Sequence, residues 1–314
     1  MKISLKRIGV LLCTLLLTGC AEQTPKSVFT ITENVLTEER LVIEGLKEEY
    51  NILFLTDTHL IVMSEDDEEC VATNASERYP MFFDAQGVSS AEQFPVWMDY
   101  AVEKQLDAVL FGGDIIDYPS EANLKYLQSN LEQLNMPYLY TLGNHDWTYP
   151  WEYMTDFGRE EYLPLMKPFV GENTAIQSLD MGEFIIVSVD NSEGQINEEA
   201  LEEYHAILSQ GKPVIVMLHV PLLTQSVLTK AKENWSTPVV IGGGNYGGIY
   251  PNDATETFMK ETTAEDSPVV AILSGHVHFY DKDFVVGEKS IVQIVGDGGF
   301  KGKGILLHIS GNEE

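Results

Sequence analysis

Five short polar clusters hold the residues able to do chemistry. Asp57-Thr58-His59 sets a carboxylate and an imidazole two positions apart. Gly113-Asp114-Ile115-Ile116-Asp117 carries two carboxylates, and Gly143-Asn144-His145-Asp146 strings together an amide, an imidazole and a carboxylate. His219 stands alone, and Gly275-His276-Val277-His278 repeats the two-residue imidazole spacing. Carboxylates and imidazoles without thiolates suit first-row dications such as Mn²⁺, Fe or Zn²⁺. A carboxylate has two oxygens, so Asp114 can bridge two ions. On a continuing strand, residues two apart share a face, so Asp57 with His59, and His276 with His278, are expected to point the same way. Gly113, Gly143 and Gly275 are expected to let the backbone turn sharply beside the site.

Each cluster follows an apolar run of strand length: Asn51–Leu55, Ala108–Phe111, Tyr138–Leu142, Pro213–Leu218 and Val269–Leu273. Helical patterns lie between the runs. Ser89 and Glu92 form a capping-box pair ahead of Phe94, Trp97, Met98, Ala101 and Val102 on one helical face. Ser120 caps a stripe of Leu124, Leu127, Leu131 and Leu134. Asn197 caps Leu201, Tyr204, Ile207 and Leu208, with Gly211 as a stop. Apolar strands alternating with helices predict an α/β fold whose sheet is covered on both faces. Ligands of such folds bind beyond the carboxyl ends of the strands, where all five clusters stand.

Together, Asp57-x-His59, Gly113-Asp114-x-x-Asp117, Gly143-Asn144-His145-Asp146, His219 and Gly275-His276-x-His278 resemble the calcineurin-like metallophosphoesterases. The resemblance implies two central mixed β-sheets flanked by helices, an α/β/β/α sandwich. It implies two divalent metal ions, one held by Asp57, His59, Asp114 and His278, the other by Asp114, Asn144, His219 and His276. It also implies that His145 faces the leaving oxygen of the substrate, with Asp117 as its partner. Two such ions clamp a phosphoryl displacement and acidify a bridging water, so the expected reaction is hydrolysis of a phosphomonoester or phosphodiester. A bridging hydroxide would be the nucleophile and His145 the general acid. A nuclease or nucleotide phosphodiesterase on the same fold, and a non-catalytic phosphate-ligand-binding lipoprotein, are the competing readings. The chain departs from two subfamilies. It lacks the Arg-Gly that follows the Asp117 position in protein Ser/Thr phosphatases, and it has Asp117 where purple acid phosphatases place a ligating Tyr.

The chain has 314 residues, 44% hydrophobic, with 49 acidic and 19 basic residues for a net charge of −30. That length and apolar content suffice for a large core and exclude a disordered chain or a disulfide scaffold. The acidic body repels phosphate backbones, so a small phosphoester is the expected partner and duplex nucleic acid is not. Lys2, Lys6 and Arg7 precede the apolar run Ile8–Leu17, and Leu17-Thr18-Gly19-Cys20 resembles a bacterial lipobox. The expected organisation is a lipoprotein signal peptide over 1–19, a tether over 20–27 and a single catalytic domain over 28–311. The expected location is outside the cytoplasm, on the membrane through a lipidated Cys20. Aromatic residues after the third cluster make Trp147 and Tyr149 candidate substrate contacts. The Gly-rich stretch within Leu222–Tyr250 is a candidate flap over the metals.

Overall fold

The computed structural model describes residues 28–148, 154–242 and 248–311. Eleven strands in the described chain form two sheets. The first has the order β1 (Leu36–Val42), β11 (Gly304–Ser310), β2 (Tyr50–Leu55), β3 (Ala108–Phe111), β4 (Tyr138–Tyr140). The second has the order β5 (Ile176–Asp180), β6 (Ile185–Val189), β7 (Val214–Met217), β8 (Val269–Ser274), β10 (Ser290–Val295), β9 (Asp281–Val286). Strands β2, β3 and β4 are parallel, as are β6, β7, β8 and β10. The last strand, β11, enters the first sheet beside β1 and runs antiparallel to β2. All five apolar runs are therefore strands, but they are split between two sheets.

Period-2 alternation explains the layering. Ile52, Phe54, Ala108 and Leu110 face Phe184, Ile186, Ile215, Met217 and Leu273 across the space between the sheets. The alternate residues Leu53, Leu55, Val109 and Phe111 pack outward against α2 (Ser90–Glu103), α3 (Glu121–Leu131) and α5 (Asp156–Val170). On the far side Val187, Val214, Val216 and Ile272 pack against α6 (Glu198–Leu208) and α8 (Asp253–Thr262). The result is the expected four-layer α/β/β/α sandwich. Ser89 and Glu92 make the reciprocal capping box, and Ser120 and Asn197 cap their helices as predicted. The stretch from Leu222 to Tyr250 is not one long loop, because α7 (Gln225–Asn234) starts at the Thr224 cap and buries Val227, Leu228 and Ala231. Its glycines 243–247 lie outside the described residues.

Candidate metal centre

The carboxyl ends of β2, β3, β4, β7 and β8 meet along one rim, and all five polar clusters stand there. Three sets of donor atoms, each set mutually within 4.8 Å, emerge: Asp57 with His59 and His278, His59 with Asp114 and His145, and Asp114 with His219 and His276. His219 Nε2 lies 3.2 Å from Asp114 Oδ2, and His278 Nε2 lies 3.3 Å from Asp57 Oδ1. His59 Nε2 is 3.1 Å from His278 Nε2, and His219 Nε2 is 3.2 Å from His276 Nδ1. Hydrogen bonds on the far side of the rings fix which nitrogens face inward. His219 donates Nδ1–H to the Gly112 carbonyl at 2.9 Å, and His59 Nδ1 sits 2.9 Å from Asp117 Oδ1, so each keeps Nε2 for the centre.

The expectation that these residues continue their strands is overturned. β2 ends at Leu55 and β8 at Ser274. Asp57, His59, Asp114, His276 and His278 all take positive φ, between 46° and 70°, and Gln105 is the sole other non-glycine to do so among the described residues. This left-handed region costs on the order of 1–3 kcal/mol per residue and persists only where surroundings over-determine it. Here the amides of Asp57, His59 and Leu60 bond to the carbonyls of Gly113, Asp114 and Ile115 at 2.8–2.9 Å, lacing the first two loops together. The turn that was expected of glycines is carried largely by the ligand-type residues themselves. Of the three glycines Gly113 alone has positive φ (91°). Gly143 and Gly275 are needed for close approach, since a Cβ at 275 would lie 2.5 Å from Asp57 Oδ2 and one at 143 would overlap the Asp114 amide.

Electrostatics fit a cationic guest. Burial pushes His276 down to about 3 and His59 down to about 4, so both rings are neutral, as metal ligands must be. Burial also opposes charge on His219, yet the Asp114 and Asp57 carboxylates lift it to about 10. A proton there answers the same negative field that a metal ion would. Asn144 Oδ1 is buried without a hydrogen-bond partner, although acceptors this deep are almost always satisfied. An acceptor left open among two carboxylates and four imidazoles suits a cationic guest, so the residues present fit divalent metal ions.

Arg78 escaped the sequence reading, as did the roles of Asp146 and Asn191. Arg78, on α1 (Glu69–Arg78), grips Asp117 through Nε and, at 2.7 Å, through Nη2. Asp117 thereby serves His59 and His145 at once, lying 3.1 Å from His145 Nδ1. Burial would raise the Asp117 carboxyl, but Arg78 and the two histidines hold it far below the usual carboxylate range. Asp146 is a brace: its carboxylate accepts from the amides of Gly143, Asp114, Ile115 and Ile116 and from Tyr140 Oη, at 2.8–3.2 Å. Asn191 Oδ1 accepts from the amides of His219 and Val220, both at 3.0 Å, fixing that turn. Arg78 is the last residue of α1, and no local pattern marks it.

A cavity of about 390 Å³ opens beside Asp114, Asn144, His145, His276 and His278. Trp147 does not line it among the described residues. It is fully buried, donates Nε1–H to Ser192 Oγ at 2.9 Å and carries the Arg159 guanidinium 4.8 Å above its ring. Tyr149 lies outside the described residues. Among the described residues, an aromatic that does face the cavity is Trp235, whose ring lies 4° from the plane of His276 at 6.3 Å and 5.3 Å from His278.

Residues 50–280 match the family model described as calcineurin-like phosphoesterase. No curated protein sequence matches the chain. Among solved structures, a purple acid phosphatase from yellow lupin (Lupinus luteus) seeds superposes with a TM-score of 0.51 at 15% identity, over 82% of this chain and 46% of that one, and shares the fold. A dimetal phosphatase from Danio rerio gives 0.48 at 13% identity, over 80% of this chain and 88% of that one.

Proposed function

The chain belongs to the calcineurin-like phosphoesterase family and is a metallophosphoesterase, and on that premise we propose that it hydrolyses a small phosphoester at a two-ion centre with His145 as general acid. Asp57, His59, Asp114 and His278 would hold one ion, and Asp114, Asn144, His219 and His276 the other. The observation carrying this is Asp114: its Oδ2 stands between His219 Nε2 at 3.2 Å and His59 Nε2 at 3.9 Å, shared by two donor clusters. Bound there, divalent ions would supply Lewis-acid polarisation of a phosphoryl oxygen and an acidified water.

The chain's own part is to position and to move a proton. With Nδ1 of His145 occupied by Asp117, Nε2 remains to protonate the leaving oxygen. Burial works against charge on His145, but the Asp114 and Asp117 carboxylates outweigh it and raise its pKa, which favours the protonated ring that a general acid needs. The His145 amide also donates to Asp114 Oδ1 at 2.7 Å, tying the acid to the shared ligand.

The net charge of −30 supports small esters over polymers. We further propose that the protein works outside the cytoplasm, tethered by a lipidated Cys20, which lies outside the described residues. Among the described residues no helix is long and apolar enough to cross a membrane. Elemental analysis of the purified protein, joined to a chromogenic phosphoester screen with and without Mn²⁺, tests the core reading. About two equivalents of metal and metal-dependent turnover are expected. Faster cleavage of polymeric DNA at low salt than of small esters would overturn the substrate class. A Cys20→Ser variant still wholly in the membrane fraction would overturn the tether.

A further inference from the structure

The part of the cavity lining that is not histidine has a chemistry of its own. Met154, Val220, Pro238, Val239 and Ile249 make it apolar, Trp235 gives it a flat face, and Glu193 gives it a carboxylate. No Lys or Arg lines it among the described residues. Among the described residues, Arg78, Arg159 and Lys301 touch the site's residues, and each is paired with acid: Arg78 with Asp117, Arg159 with Asp190 and Glu193, and Lys301 with Asp297. Arg159 thus sits between two carboxylates, and that triad retains negative charge beside the cavity. The Trp235 ring is held in place, its Nε1–H donating to the Val277 carbonyl at 3.1 Å.

We propose that this wall selects monoanionic phosphodiesters whose second ester arm is a flat apolar group, and disfavours dianionic monoesters. The inference rests on the hydrolase reading above and adds the substrate class to it. A monoester brings two charges, and beyond the metal ligands and His145, which both ester classes meet alike, the lining offers its second charge no Lys or Arg and one carboxylate. A diester brings one charge, and its spare arm needs an apolar surface. Trp235 supplies that surface next to two of the imidazoles, so an aryl arm lying on it leaves the phosphorus at the donor clusters.

Three esters sharing one leaving group test this on metal-loaded protein: p-nitrophenyl phosphate, methyl p-nitrophenyl phosphate and phenyl p-nitrophenyl phosphate. The phenyl diester is expected to exceed the monoester in kcat/KM by tenfold or more. It should exceed the methyl diester by about three- to tenfold, the size of one aromatic stack. Trp235→Ala should erase the phenyl-over-methyl preference through KM, and Trp235→Phe should restore most of it. Glu193→Gln should raise the monoester relative to both diesters. A wild-type preference for the monoester, or an equal loss on all three esters in Trp235→Ala, would overturn the proposal. If no ester turns over, the hydrolase reading fails, and binding decides the selectivity separately. Diphenyl phosphate should quench the Trp235 share of the fluorescence at lower concentration than phenyl phosphate. Equal or reversed affinities would refute selection for the diester.

Discussion

The two ends of the imidazole cluster are built differently. His59 is 1% exposed, and its ring lies parallel to Phe82 at 4.5 Å. Arg78 stands 5.1 Å from the Phe82 ring and grips Asp117, which in turn holds His59. Ligand, aromatic, guanidinium and carboxylate form a closed circuit in which each member restrains the next. At the other end the His278 side chain is 22% exposed, and both His276 and His278 face the cavity beside Trp235. One end is anchored in the core and the other is the working face. A centre that must both retain ions and admit a substrate gains from this division, because rigidity is needed at the ligands and access at only one side.

Breaking the element common to both ends should have the largest effect. Asp114→Ala removes the oxygen shared by the two donor clusters, and we expect loss of both ions by elemental analysis and of all measurable turnover. Stripping metal from the wild type with a chelator should lower Tm, because the buried carboxylates lose a guest that only the folded state binds. Retention of two equivalents in Asp114→Ala would show that the two ion sites do not depend on a shared carboxylate. Next in size is His145→Ala, expected to keep its metal and lose about 10²–10⁴-fold in kcat, the usual worth of a general acid. Loss of metal in that variant would instead make His145 part of the anchored end.

Much of this was legible in the sequence, for a physical reason. Strands buried on both faces, such as Ala108–Phe111 and Val214–Met217, read as unbroken apolar runs, and the polar residues that end them mark the rim. The caps at Ser89, Ser120 and Asn197 were readable because capping is local. What stayed hidden depends on distant partners. Arg78 and Asp117 are 39 residues apart and meet only through the fold. The left-handed backbone at Asp57 and His276 is imposed by neighbouring loops, so a strand-like spacing misled. Trp147 and Trp235 look alike in sequence, yet one is sealed beneath Arg159 and the other lines the cavity.

Opening the circuit at Arg78 should come next. Arg78→Met leaves the Asp117 charge buried and lacking its strongest partner, a change that costs about 3–5 kcal/mol when a buried pair is broken. A fall in Tm and an about 10–100-fold weaker hold on metal at the His59 end are expected, the scale typical of lost outer-shell partners. Arg78→Lys should recover part of the stability and less of the metal retention, since a lysine cannot make both bonds at once. The pH dependence has a definite sign. Asp117 is depressed in the folded protein, so its contribution is full above the unfolded carboxylate range and is lost as pH falls below about 4. The variant holds Asp117 less low, so its Tm should drop less between about pH 5 and pH 3 than the wild type's. Parallel Tm–pH curves would remove Arg78 from the circuit.

The smallest effect sharpens the comparison most. Phe82→Leu keeps apolar volume beneath His59 and leaves Arg78 and Asp117 in place, but it removes the parallel ring face at 4.5 Å. One aromatic contact is worth about 0.5–1.5 kcal/mol, so a modest fall in Tm is expected. A circuit with redundant restraints should pass little of that to the centre, because the Asp117 bond at 2.9 Å still fixes the ring. We therefore expect kcat within about threefold of wild type and metal content unchanged. A large loss of metal from Phe82→Leu would mean that stacking, not the carboxylate, orients His59. The anchored end would then owe its rigidity to packing against α1 and its neighbours rather than to its charges.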